Sequence, residues 1–125
     1  MNPRLIAQLI AGGRVVIGLA LVAKPALVTS RWVGDDEADR PGARVLGTGL
    51  GGRDVVVGAG TLAALNAGDG SVRPWLIGSV LADAVDLIGT LRSASELPGS
   101  AVAGTAVVAG GAAAAGAWLL SQDVG

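Results

Sequence analysis

The sequence predicts an all-α fold: a four-helix transmembrane bundle running up-down-up-down. Three observations predict it. Apolar residues make up 51% of the 125-residue chain, charged residues only 15%, and mean hydropathy is +0.61; an average soluble domain is about 25% charged. The apolar content is Ala, Val, Leu and Gly with no Phe or Tyr. A soluble core of this size is usually anchored by aromatics, whereas membrane helices pack through small residues. Finally, four apolar stretches of near twenty residues alternate with Pro, Gly and charged punctuation, and about twenty residues cross the ~30 Å hydrocarbon layer.

The first span covers residues 5–23 and is ended by Lys24-Pro25. With Arg4 ahead of it, it could be taken for a signal peptide. Arg14 breaks the middle of the run and no clear A-x-A site precedes Lys24, so a retained helix is expected. Residues 25–41 form the one long connection, expected as a polar loop with Asp35-Asp36-Glu37-Ala38-Asp39 solvated. A partner-docking or cation-binding patch is the other reading of that acidic run. The second span covers 43–65, follows Arg40-Pro41-Gly42, and stops at the turn signal Asn66-Ala67-Gly68-Asp69-Gly70. The third covers 74–91, starting at Pro74, and the fourth 98–120. Short second and third connections make the helices antiparallel neighbours.

Trp75 and Trp118 fall on the side of the termini and Trp32 on the opposite side, the pattern of an aromatic belt. Packing within the loops gives the same depths. Arg4 and Arg73 lie on the terminal side, against Lys24, Arg31, Arg40, Arg44 and Arg92 on the other. That asymmetry points the long connection to the cytoplasm of a multi-pass cell-membrane protein. The Ala/Gly/Val/Arg/Asp bias with a single Lys suggests a GC-rich bacterial source.

There is no Cys and no His. Disulfides, Cys/His metal sites and Ser-His-Asp or Cys-His nucleophiles are excluded. The net charge of −1 offers no basic face for a nucleic acid. No cofactor can be named.

The chemistry lies in charges placed inside the spans. Arg14 is the middle residue of the first span. Arg53 and Asp54 are near the centre of the second, and Asp83 and Asp86 near the centre of the third. Asp86 lies about 4.5 Å beyond Asp83 along its helix. Because the second helix runs the other way, all five fall in one layer about a turn thick. A charge at that depth costs a few kcal/mol or more unless it is paired or wet. Ser79, Asp83, Asp86 and Thr90 share one face of the third helix, a polar stripe. Gly47, Gly51, Asp54 and Gly58 share one face of the second, nearly bare of side chains, and Gly18 leaves room one turn after Arg14. The simplest pairing joins Arg14 to Asp83 or Asp86 and Arg53 to the other, leaving Asp54 as the spare acid. Gly104, Gly110, Gly111 and Gly116 suggest close packing of the fourth helix inside the bundle or against another copy.

The pattern Arg14-x3-Gly18 with Lys24-Pro25, Ala43-Arg44-x-Leu46-Gly47, Gly52-Arg53-Asp54-x3-Gly58, then Trp75 with Ala82-Asp83-x2-Asp86, resembles small four-helix integral membrane proteins of the DoxX-like group. The likeness covers about the first 92 residues. It implies a four-helix membrane fold and an accessory place beside membrane redox or quinone-linked complexes. It supplies no catalytic residues.

Two classes of function follow as expectations. The first is a non-enzymatic membrane protein that binds a small amphipathic ligand, lipid or quinone-like, or serves as a subunit of a membrane complex or homo-oligomer. There the charge layer holds a headgroup or clasps the helices. The second is a small transporter or ion- or proton-conducting oligomer using Asp54, Asp83 and Asp86. An enzyme would have to rest on Asp and Arg alone.

Overall fold

Proline and glycine punctuation in the sequence becomes helix boundaries in the structure. The computed structural model describes residues 1–124, which contain helices and turns and no strand. The α-helices are α1 (Pro3–Ala23), α2 (Pro25–Val33), α3 (Asp35–Ala38), α4 (Pro41–Ala67), α5 (Val72–Arg92) and α6 (Gly99–Leu119). A 3-10 turn, Ala94–Glu96, joins α5 to α6. Helices α1, α2 and α4 each begin on proline, whose fixed φ and missing N–H suit a first turn. Asn2 caps α1 by accepting from the Leu5 N–H at 3.3 Å. Gly68 closes α4 in the left-handed conformation at φ 66°, which a side chain would disfavour. In the following turn Asp69 accepts from the Ser71 N–H at 3.0 Å. The Ser71 hydroxyl and backbone hold its carboxyl below the ordinary carboxylate range.

The connection 25–41, expected as a loop, is instead largely helical. Pro25 starts α2, and Gly34 at φ 91° ends it. The acidic run then forms the short α3, with Asp35, Asp36 and Glu37 in its first turn, where negative charge meets the positive end of the helix dipole. Thr29 and Ala38 are buried, so both short helices dock on the body rather than float above it. Nine residues are too few for their periodicity to be told from an apolar loop by sequence alone.

Helices α1, α5 and α6 are each 21 residues long and apolar enough to cross a membrane. The 27-residue α4 is the longest. Its glycines and the Arg53-Asp54 pair dilute the aliphatic content, and it falls outside that set of three. The distribution of polarity is inverted relative to a soluble protein. Leu9, Val16, Val45, Leu46, Leu81, Val85, Val107 and Val108 are exposed, while Arg14, Asp54, Thr61, Ser79, Asp83 and Thr90 are buried. An aliphatic exterior of this kind, with three helices long and apolar enough to cross a membrane, suits a hydrocarbon surround.

In hydrocarbon, burial of aliphatic surface does not drive helices together; close packing and polar contacts must. Helix α1 packs most extensively on α4, and α5 on α6. A Cβ on Gly51 would lie 2.6 Å from the Gly18 carbonyl oxygen, and one on Gly58 would lie 2.5 Å from the Ala11 carbonyl oxygen. Both are sub-van-der-Waals distances, so only glycine permits this backbone-to-backbone approach. Gly47 gives the same close seat to Pro25 and Thr29 of α2. Among the α6 glycines only Gly116 is tightly seated, against Val80, while a Cβ on Gly104 or Gly111 would meet nothing within 4 Å. Trp75 lies flat against Gly60, a packed rather than free tryptophan.

The aliphatic core sits at one end of the molecule. There Ala7, Ala64, Leu65, Val72, Leu76, Leu119 and Val124 cluster, so the start of α1, the end of α4, the start of α5 and the end of α6 meet. Arg4 donates to the Leu65 carbonyl at 2.6 Å and Arg73 to the Leu120 carbonyl at 2.9 Å, satisfying C-terminal carbonyls that the helices leave open. Beyond α1, helix α2 packs against α1, α4 and α6.

Candidate functional site

Three helices each contribute one or two charges to a single network. The glycine face of α4 lets α1 come close enough for Arg14 to reach across it. Arg14 donates through Nη1 to Asp54 Oδ1 at 2.8 Å and through Nη2 to Asp83 Oδ1 at 2.6 Å. The same Nη2 lies 3.5 Å from the Ser79 carbonyl. Arg53 binds Asp86 through both oxygens, at 3.0 and 2.8 Å, and reaches back to Asp54 Oδ1 at 2.9 Å. The order is Asp83–Arg14–Asp54–Arg53–Asp86, with no break. Charge-assisted bonds of this length are the strong kind, and the forked Arg53–Asp86 pair also fixes orientation.

The residues expected from the sequence to share a layer are therefore in contact, and Arg14 takes Asp83 while Arg53 takes Asp86, one of the two pairings the sequence allowed. Asp54 is not the spare acid; it is the hub that both arginines share. The reason is helix rotation. The Gly51 and Gly58 contacts turn the Asp54 face of α4 toward α1, which places Asp54 beside Arg14 in addition to Asp83. Asp83 keeps a buried acceptor unmatched: its Oδ2 has no hydrogen-bond partner. Arg14, Asp54 and Asp83 are each at most 9% exposed.

The polar stripe of α5 has a further use. Thr90 donates to the Asp86 carbonyl at 2.7 Å and accepts from Trp32 Nε1 at 2.9 Å. This bond ties α2 to α5, a role for Trp32 distinct from that of a belt residue. Ser79 supplies only its backbone carbonyl to the network.

Next to the charges lies a cavity of about 510 Å³. Its floor includes Arg14, Asp54, Asp83 and Asp86, its end wall Arg31 and Trp32 of α2, and its sides come from α1 and α6. Leu9, Gly13 and Ile17, spaced four apart on α1, are exposed along one lip. Gly104 and Val108, also four apart, are exposed along the other. The cavity thus opens sideways, between α1 and α6, through an aliphatic slot. Sequence reasoning missed this half of the site. Gly104 and Thr105 carry no charge to mark them, and Arg31 stands in the sequence as one basic residue among several near the α2 end.

No family model, curated protein or solved structure matches this chain. The site must be read from its own geometry. Among the described residues no group of three or more His, Cys, Asp or Glu is arranged to hold a metal ion. What the arrangement can do is seat an elongated molecule: an apolar body along the slot and a polar end on the ion-pair floor.

Proposed function

We propose that this chain is a multi-pass membrane protein whose four long helices cross the bilayer up-down-up-down and whose lateral crevice binds a small amphipathic molecule. The observation that supports this is the crevice of about 510 Å³ with aliphatic lips and a charged floor. Binding pockets for small molecules have this size and this mix of apolar walls with a few converging polar groups. A slot facing the acyl chains admits a ligand by lateral diffusion, without carrying it through water. The basic residues near α2 and α4 favour a cytoplasmic position for the α2–α3 end. The resemblance to DoxX-like proteins agrees with a ligand-binding or accessory role beside a membrane complex, and a lipid or quinone-like molecule is within the ligand class.

Native mass spectrometry of the full chain, extracted in mild neutral detergent, tests the reading. A small-molecule adduct is expected on the wild type and should be lost in Gly104→Leu. That substitution projects a side chain into space where a Cβ meets nothing within 4 Å. A wild type that carries no adduct, with none recovered in organic extracts, would count against the proposal.

A further inference from the structure

The floor of the crevice has more acceptor capacity than its own donors use. Two guanidinium groups face three carboxylates, so the ionised network of Arg14, Arg53, Asp54, Asp83 and Asp86 has a formal charge of −1. Two carboxylate oxygens are left over. Asp83 Oδ2 is buried without a partner, on a side chain only 9% exposed. Asp54 accepts every one of its hydrogen bonds on Oδ1, leaving Oδ2 without one among the described residues. Both residues line the crevice, one on each side of Arg14. A buried polar atom without a partner costs free energy that a suitable donor recovers. The lining's other cation, Arg31, is exposed at the α2 end and makes none of the ion pairs described.

From this we infer that the crevice selects amphiphiles whose headgroup is a monocation bearing N–H donors: a primary alkylammonium with its chain in the α1–α6 slot. This rests on the crevice reading given above. An ammonium group has three donors and no acceptor, so it can bridge Asp54 Oδ2 and Asp83 Oδ2 and bring the layer to neutrality. Presenting the shielded Asp83 Oδ2 to the headgroup requires the carboxylate to turn about its terminal torsion, which is soft. An anionic head would add charge to an already negative layer and compete for an Arg14 that two carboxylates hold. A neutral hydroxyl can satisfy one oxygen but not the charge. A quaternary ammonium supplies charge but no N–H, so it leaves both oxygens unbonded.

The test uses four probes with the same chain, each below its micelle concentration: decylamine, decyltrimethylammonium, decanol and decyl sulfate. Each is titrated into the full chain in neutral detergent, with tryptophan fluorescence as readout because Trp32 lines the site. Gly104→Leu serves as the reference for partition into the micelle. The expected result is saturable decylamine binding in the wild type only, at least about tenfold tighter than decanol or the quaternary amine, from one charge-assisted hydrogen bond. Decyl sulfate should not bind. Asp83→Asn, if it folds, should bring decylamine down to the affinity of decanol. Equal binding of decanol and decylamine, both abolished by Gly104→Leu, would overturn the headgroup inference and leave the crevice standing. Equal binding of the quaternary amine would overturn the N–H requirement. If no probe distinguishes wild type from Gly104→Leu, the crevice reading itself fails.

Discussion

Arg14 and Asp54 meet at 2.8 Å across the α1–α4 contact, at the level where Gly18 and Gly51 bring the two backbones together. The two facts are one design. A long cationic side chain reaches a short carboxylate on the neighbouring helix because nothing larger than hydrogen separates the helices one turn away. The same guanidinium then extends to Asp83 on α5, so a single residue of α1 fastens both partners.

Removing that fastener should be costly. Arg14→Gln leaves Asp54 and Asp83 with less compensation in a poorly solvated layer, and breaking a buried pair from one side costs about 3–5 kcal/mol. Asp83→Asn removes one acid and leaves Arg14 paired to Asp54, at about 1–3 kcal/mol. Thermal unfolding in detergent, followed by circular dichroism, should rank the stabilities wild type, then Asp83→Asn, then Arg14→Gln. Wild-type stability in both variants would rule out a clasp.

The glycine contacts make a prediction with its own control. Gly51→Leu forces a side chain into the Gly18 carbonyl and Leu21, and overpacking of this kind costs about 1–3 kcal/mol or more. Gly49 lies on the same helix with nothing within 4 Å of a Cβ. Gly49→Ala should unfold at or slightly above the wild-type temperature, since alanine is the better helix former. If the two variants behave alike, the α1–α4 contact is not set by glycine.

Helix α2 hangs on one side-chain bond to α5. Trp32→Phe keeps the ring and loses the hydrogen bond to Thr90, worth about 0.5–1.5 kcal/mol. Amide hydrogen exchange should rise over residues 25–33 while the global unfolding temperature moves little. Unchanged exchange there would show that Thr29 and the Gly47 seat hold α2 without help.

The charges form one linked chain at a single level rather than a file of groups strung along the bundle axis, and they include no His. Proteoliposomes containing the protein should therefore hold a proton gradient as long as protein-free vesicles do. A leak that disappears in Asp83→Asn would replace the binding reading with the transport one.

Much of this molecule follows from the chain alone. Run length and apolar content give long helices suited to a bilayer, because about twenty residues at ~1.5 Å each match its thickness. The 3.6-residue period then puts Ser79, Asp83, Asp86 and Thr90 on one face, and Gly47, Gly51, Asp54 and Gly58 on another. Counting from span centres brings Arg14, Arg53, Asp54, Asp83 and Asp86 to one level. Level and face are properties of a single helix, so a sequence can state them. That Arg14 takes Asp54 as well as Asp83 is a property of two helices. It depends on rotation and separation, and these were decided by Gly18 against Gly51 and Ala11 against Gly58. The crevice is further out of reach, since it lies between α1 and α6 away from the end where Ala7 and Leu119 cluster, and its lips at Gly13, Ile17, Gly104 and Val108 are residues with no chemistry of their own. The docking of α2 came from tertiary contact too: nine residues do not make a stable helix in isolation, and it took Gly47 beneath Pro25 and Thr90 beside Trp32 to fix it in place.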